Sequence, residues 1–436
     1  MVKITFIGAG SIVFSKQLLL DILSFEVLRD CTISLMDIDE KRLERIDKLC
    51  QKFKNQENLP TKFEATTDRR KALKDADFVI IMIQVGGLEA TKFDLDIPQK
   101  YGMTQCIGDT LGPGGVFRFL RTIPVLLGIC SDMKEVSKPG ALILNYANPM
   151  AMNCWALNEA TDVPNVGLCH GVQHTAYLMS HWAKVPIKEC TYLAAGINHM
   201  AWFLEFRRNE EDLYPKIRKK LFEGPPLAND KIRIEMFRQT GYYMTESSGH
   251  LSEYLPFFRK RKGLMDKFGG TGFDGEDNFY YKLSVAAEKQ EEKIFKRMLS
   301  DKRKIKFSRR SVEYCSRIIH GIVTDTPFRF NGNVRNTGLI TNLPDGCCVE
   351  VPCYADSTGI HPSYVGELPP VCAALNMSNI LVQGIAVKAA LTKNRELVHH
   401  AIMMDPNTNS FLAPHEIRAM VNEMFQAESK WLPQFL

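Results

Sequence analysis

The stretch Lys3-Ile4-Thr5-Phe6-Ile7-Gly8-Ala9-Gly10-Ser11 decides the fold. Residues 3–7 have strand character and run into two glycines one residue apart. A helical stretch, 13–24, follows at once. Glycines at such a turn let a pyrophosphate approach the backbone at the start of the helix, where free N–H groups favour an anion. The third glycine of the usual pattern is missing, and Val13 stands in its place. The next expected strand, 32–36, is followed by Asp37. A carboxylate there can accept hydrogen bonds from both ribose hydroxyls and repels a 2′-phosphate, which favours NAD over NADP. Gly8, Gly10, Ser11 and Asp37 are therefore the expected contacts to a dinucleotide. A glycine turn that binds no cofactor is the competing reading.

Further strands are expected at 78–83, 141–146 and 165–168. Between them lie amphipathic stretches such as 39–53, with Leu43, Ile46, Leu49 and Phe53 at helical spacing. Alternation of this kind predicts an α/β fold with a doubly wound parallel sheet. Residues 124–136 read as the later part of a helix beginning near Gly114. The second half is less regular. Residues 192–204 read as one apolar strand interrupted at Asn198 and His199. Helices are expected at 233–240, 278–297 and 376–392, strands and turns at 332–353, and a mobile loop at 257–279. A length of 436 residues allows two domains. We expect one at 1–195 and a C-terminal α/β domain at 196–436.

Composition narrows the function. Lys and Arg number 55 against 50 Asp and Glu, too small a surplus to indicate a nucleic-acid partner. The basic runs 259–262 and 302–310 read as solvated surface. No apolar run reaches the roughly 20 residues that span a bilayer. The twelve cysteines show no disulfide spacing, and the N-terminus reads as a strand and not as a leader. The expectation is a cytoplasmic protein with reduced thiols and no membrane association.

In an open parallel sheet, ligands collect at the carboxyl ends of the strands. Asn148-Pro149 and Cys169-His170 follow two of the expected strands, and Asn198-His199 lies in the next apolar run. Separately, Gly108-Asp109-Thr110-Leu111-Gly112-Pro113-Gly114-Gly115 opens a helix carrying Arg118 and Arg121. A thiolate and an imidazole from two strand ends can share one divalent metal. Two protein ligands leave room for substrate and water, as a catalytic ion requires. Taken singly, Cys169 also fits a buried thiol and His199 a core histidine.

Taken together these segments resemble glycoside hydrolase family 4 along essentially the whole chain. The resemblance covers 4–11, 109–115, 148–153, 169–173 and 196–201, then 245–248, 332–336 and 347–351. The later segments look most like the melibiase-type α-galactosidases. Gly171 departs from that type, which carries serine there; members with glycine act on glucosides or glucuronides. The resemblance implies a Rossmann-type first domain and a second domain as in lactate and malate dehydrogenases. It implies NAD, a divalent metal such as Mn(II) held by Cys169 and His199, and Asn148 between substrate and nicotinamide. It also implies a homodimer or homotetramer acting on a small α-glycoside.

Ordinary glycosidases use two carboxylates, and NAD-dependent members of this family are an exception. The route implied is oxidation at sugar carbon 3, removal of the proton on carbon 2, loss of the aglycone, water addition and re-reduction. For the acid we select His170, with Asp109 as the other candidate. For the base we select Glu246, ahead of Tyr243 and Tyr254. Arg335 is a candidate substrate contact, with a structural ion pair as its alternative. Within the family, an α-glucosidase or an α-glucuronidase/α-galacturonidase is the runner-up; a simple NAD-linked dehydrogenase is a further competing function, and the Cys169–His199 pair argues against it.

Overall fold

The computed structural model describes residues 1–261, 263–300, 304–305, 307 and 310–435. The expected basic runs at 259–262 and 302–310 therefore lie partly outside the described residues. Thirteen strands are named: β1 Val2–Ile7, β2 Cys31–Met36, β3 Lys62–Thr66, β4 Phe78–Ile81, β5 Leu142–Asn145 and β6 Asn165–Gly167. The others are β7 Thr191–Ile197, β8 Met200–Arg208, β9 Glu211–Asp212, β10 Tyr243–Met244, β11 Phe328–Arg335, β12 Cys348–Asp356 and β13 Gly359–Pro362. They form one sheet in the order β10-β8-β7-β12-β11-β6-β5-β4-β1-β2-β3, with β9 on β8 and β13 on β12.

The run β3-β2-β1-β4-β5-β6 is parallel throughout. It has the strand order of a dinucleotide-binding sheet, so the α/β expectation holds. Strands β4 and β5 are buried at every residue, as parallel strands covered on both faces must be. β3 has no counterpart among the expected strands. Its Lys62-Phe63-Glu64-Ala65-Thr66 is charged because it forms the edge of the parallel part.

Beyond β6 the sheet turns antiparallel, through Asn333 of β11 opposite Gly167. The stretch expected as one interrupted strand at 192–204 is a hairpin, β7 and β8, with Ile197 opposite Met200. Asn198 and His199 are its two-residue turn. His199, the second of them, adopts φ 64°, in the left-handed region, while Asn198 does not. Residue 195 falls inside β7, between β8 and β12, so the sheet runs unbroken through the expected boundary.

The described residues of the segment 257–279 are in large part turns and bends, in keeping with a loop, but the segment has fixed points. It contains the helix Leu264–Phe268, and Arg259 is buried, donating to Ser252, Thr104 and Asp277. Among the described residues, two helices are long and apolar enough to cross a membrane, which the sequence reading did not anticipate. Both belong to the core. Gly112–Val136 buries Arg121 between Asp94 and Glu428, at 2.5 and 2.8 Å. Pro370–Thr392 buries Asn376, Asn379 and Gln383.

Candidate active site

The glycine turn is shaped as its sequence requires. The amides of Gly8 and Ala9 both donate to Met36 O at 2.9 Å, tying β1 to the end of β2. Gly8 has φ 87°, and a Cβ there would lie 2.6 Å from Met82 O. At Gly10 a Cβ would lie 2.7 Å from Asp37 Oδ2, which accepts the Gly10 amide at the same 2.7 Å. Asp37 Oδ1 accepts the Asp39 amide at 2.9 Å. A carboxylate offers about four lone-pair sites, so two remain for a ribose. Ser11 caps the helix Ile12–Leu23 without a side-chain hydrogen bond, which leaves the first-turn amides open to a phosphate. Val13 and Ile38, exposed at 58% and 88%, provide apolar surface beside the turn. These features fit a dinucleotide.

At the carboxyl ends of β5 and β6 and at the β7–β8 turn lies a second group of residues. Donor atoms of Cys169, His199 and Glu246 all come within 4.8 Å of one another. Sequence reasoning paired the first two. It placed Glu246 nearby as the base, and the structure brings that carboxylate within 4.8 Å of both. His199 Nε2 and Glu246 Oε1 are 3.9 Å apart. Burial pushes the Cys169 thiol well above its ordinary value, and Glu246 and Glu350 add to this. Burial lowers His199 to about 4, so the ring is neutral, the form that binds metal. Burial works against ionisation of Glu246, but His199 and His250 hold its carboxyl well below the usual range. One thiolate, one neutral ring and one carboxylate make a donor set that suits a dication, which would itself favour the thiolate.

Against this cluster stands a loop–helix contact that the sequence reading missed. The short helix Ser248–Tyr254 carries His250, Glu253 and Tyr254. Glu253 accepts the amides of Cys106 and Ile107 at 2.7 Å and of Gly108 at 3.0 Å, clamping the glycine loop that holds Asp109. Tyr254 Oη donates to Thr110 Oγ1 at 3.0 Å, and Thr110 Oγ1 lies 2.7 Å from His250 Nε2. His250 Nδ1 is 3.6 Å from Glu246 Oε2. Burial opposes protonation of His250, yet Glu246, Glu253 and Asp109 raise it to about 9. The i,i+4 spacing of Glu246 and His250 was the available signal. Tyr243 is excluded from this group, since its hydroxyl bonds Asp230 within a separate apolar cluster.

Asn148 joins the two regions. Its Nδ2 donates to Asp109 Oδ2 at 2.9 Å, and its carbonyl accepts from Arg118 Nε at 3.2 Å. Arg118 Nη1 is 3.8 Å from Asp109 Oδ2. Asp109 Oδ1 and Arg118 Nη1 are buried without a hydrogen-bond partner, as polar groups awaiting substrate hydroxyls would be. His170 sits at the start of the helix Gly171–Ala183, half exposed, with Nδ1 3.3 Å from Glu313 Oε1. That bond outweighs burial and raises its pKa.

Arg335 does not belong to the site. It lines a pocket of about 780 Å³ with Val2, Lys138 and Asp162, at the end of β1 opposite Gly8. Its Nη1 donates to Asn158 O at 3.3 Å. Since β11 runs antiparallel to β6, its last residues point back to the amino ends of the parallel strands, away from the ligand side.

Strand ends that carry a dinucleotide turn on one side and a buried thiol–imidazole–carboxylate cluster on the other suit an enzyme that uses a dinucleotide and a metal. Residues 3–185 match the family 4 glycosyl hydrolases, and residues 194–408 match the C-terminal domain of that family. An alpha-galactosidase of Rhizobium meliloti (strain 1021) is 42% identical over 99% of this chain and 89% of its own. An alpha-galactosidase of Bacillus subtilis (strain 168) is 41% identical over the whole of both chains. Among solved structures, a 6-phospho-alpha-glucosidase from gut microorganisms in complex with NAD and Mn2+ superposes with a TM-score of 0.83. It covers 99% of each chain at 21% identity. The chain belongs to glycosyl hydrolase family 4.

Proposed function

We propose that this enzyme hydrolyses α-galactosides of the melibiose type, with NAD and a divalent cation as resident cofactors. The observation that carries the reading is the convergence of Cys169 and His199 on the side of the sheet that bears the glycine turn. Full-length relatives called alpha-galactosidases support the sugar. Gly8, Gly10, Ser11 and Asp37 hold the dinucleotide, with Asn148 at its nicotinamide end; Cys169 and His199 hold the cation. Bound there, NAD supplies a reversible hydride acceptor and the cation a Lewis acid.

The chain's own residues perform the remaining tasks. Asp109, Asn148 and Arg118 orient the sugar through its hydroxyls. The Arg118 charge is already countered by Asp109, which favours a neutral sugar over a uronic acid. His170, held by Glu313, delivers a proton to the leaving oxygen at the mouth of the site. The proton on carbon 2 passes to Glu246, at the oxygen Oε2 that His250 Nδ1 faces at 3.6 Å. The same reading includes residues 1–195 as the dinucleotide half, 196–436 as the substrate half, and a cytoplasmic assembly of two or four copies.

The test is a turnover series on nitrophenyl α-galactoside, α-glucoside and α-glucuronide with NAD, Mn(II) and thiol reductant each omitted in turn. We expect galactoside cleavage that needs all three without net NADH production. In deuterated water, the product should carry deuterium at carbon 2. Stoichiometric NADH without cleavage would instead identify a dehydrogenase.

A further inference from the structure

We propose that Glu246 is a third protein ligand to the divalent cation, bound through Oε1, and that the absence of a side chain at Gly171 is what admits it. The inference rests on the metal reading above and changes the number of protein ligands from two to three.

Distance is the first argument. Donors about 2.0–2.3 Å from one cation stand roughly 3–4.5 Å from each other. His199 Nε2 and Glu246 Oε1 are 3.9 Å apart, and the Cys169 donor completes a triangle with no side above 4.8 Å. The two carboxylate oxygens are also divided. Oε1 faces His199, while Oε2 faces His250 Nδ1 at 3.6 Å. One oxygen is thus turned toward the cluster and the other held by a ring behind it, the arrangement by which neighbours fix a ligating group.

Backbone conformation is the second argument. Glu246 has φ 73° and His199 φ 64°, both in the left-handed region that residues with side chains rarely occupy. Such conformations persist where the surrounding structure imposes them, and they collect at functional sites. Here the imposing contacts are visible. The Thr245 amide donates to Ala201 O at 2.9 Å, and the Ala201 amide donates to Thr245 Oγ1 at 3.0 Å. These bonds strap the residue before Glu246 to the strand that starts just after His199, so the two unusual residues share one support.

Space is the third argument. A Cβ built on Gly171 would lie 2.9 Å from Glu246 Oε1 and 3.5 Å from Cys169 Sγ. The Gly171 amide meanwhile donates to Cys169 Sγ at 3.3 Å. Position 171 therefore touches two members of the triangle. A side chain there would displace the flexible end of Glu246 and take its oxygen out of the set.

The experiment uses full-length, metal-free protein titrated with Mn(II) at one fixed pH. Bound ion is counted from the loss of the aqua-ion electron paramagnetic resonance signal. Water-proton relaxivity per bound ion then reports how many waters remain coordinated. An octahedral ion with three protein ligands keeps three waters. Glu246→Ala should add a fourth, raising relaxivity per bound ion by roughly one third, and weaken binding by about 10-fold or more. Gly171→Ser, with Glu246 intact, should shift both in the same direction, and it decides the matter if the alanine variant does not fold. Unchanged relaxivity per bound ion in the folded variants overturns the proposal, even if affinity falls, because a residue behind the ligands alters affinity without adding a water. Cys169→Ser separates the two readings. If it abolishes binding while Glu246→Ala leaves relaxivity unchanged, the two-ligand site stands and the third ligand falls. If wild type itself fails to bind Mn(II), both fall.

Discussion

In the proposed reading Asp37 sets both the affinity and the choice of cofactor, and its replacement gives a quantitative expectation. Two of its lone-pair sites are used, by Gly10 N at 2.7 Å and Asp39 N at 2.9 Å. The two left can each accept a ribose hydroxyl. A hydrogen bond to a charged acceptor contributes about 1.5–3 kcal/mol, so losing two at the low end costs about 3 kcal/mol. At 1.4 kcal/mol per decade, Asp37→Ala should weaken NAD binding about 100-fold. The same carboxylate repels a 2′-phosphate: two unit charges about 4 Å apart at an effective dielectric of about 20 oppose each other by about 4 kcal/mol. Asp37→Asn keeps an oxygen for the Gly10 amide and removes that repulsion, so it should bind NADP far better than wild type does. Calorimetric titration of cofactor-free protein with NAD and NADP measures both effects. NAD affinity of Asp37→Ala within about threefold of wild type would refute the ribose assignment. A continuing rejection of NADP by Asp37→Asn would show that shape, and not charge, excludes the phosphate.

Three further outcomes are expected. Arg121→Met leaves Asp94 and Glu428 buried without their cation, and breaking such a pair costs about 3–5 kcal/mol, so the thermal midpoint should fall markedly. Burial raises the Asp405 carboxyl to about 6 against the opposing bonds from Thr408. An acid whose pKa is higher folded than unfolded loses stability as pH rises from about 4 to about 6, by roughly 2–3 kcal/mol. Asp405→Asn should therefore flatten the denaturant midpoint over that window, and an unchanged slope would count against it. His170→Ala should lower kcat about 10²–10⁴-fold on an alkyl or sugar aglycone and much less on a nitrophenyl one, which departs without a proton. Equal losses on both substrates would remove His170 from the acid role.

The dinucleotide half was legible because its signals are local. Strand β1, its glycines and Asp37 are each read from a few consecutive residues, and parallel burial makes β4 and β5 plainly apolar. What failed depended on the partner across space. β3 is charged because it stands at the end of the strand order. The β7–β8 hairpin carries its turn on Asn198 and His199, without the glycine that usually announces one. The burial of Arg259 was not legible because its partners Ser252, Thr104 and Asp277 are not its sequence neighbours. Arg335 sat in a suggestive run of polar residues, but strand direction carried it to the wrong end of the sheet.

The residues missed at the site show how far the ligand side depends on contacts between the halves. Cys169 follows the last parallel strand, while His199 and Glu246 belong to the antiparallel part, so neither half alone assembles the cluster. Glu253 accounts for their registry. By taking three amides of the loop 106–108, it fixes Asp109 against the helix that presents His250. Its carboxylate spends its hydrogen bonds on this loop and on Gln105, and needs no substrate contact to matter. A residue of this kind leaves no motif, because three of its partners are backbone amides and the fourth, Gln105 Nε2 at 3.2 Å, lies far away in sequence. The chemistry at Cys169 and His199 is thus readable from residue type, whereas the geometry that makes it usable is set by a carboxylate whose role only the folded chain discloses.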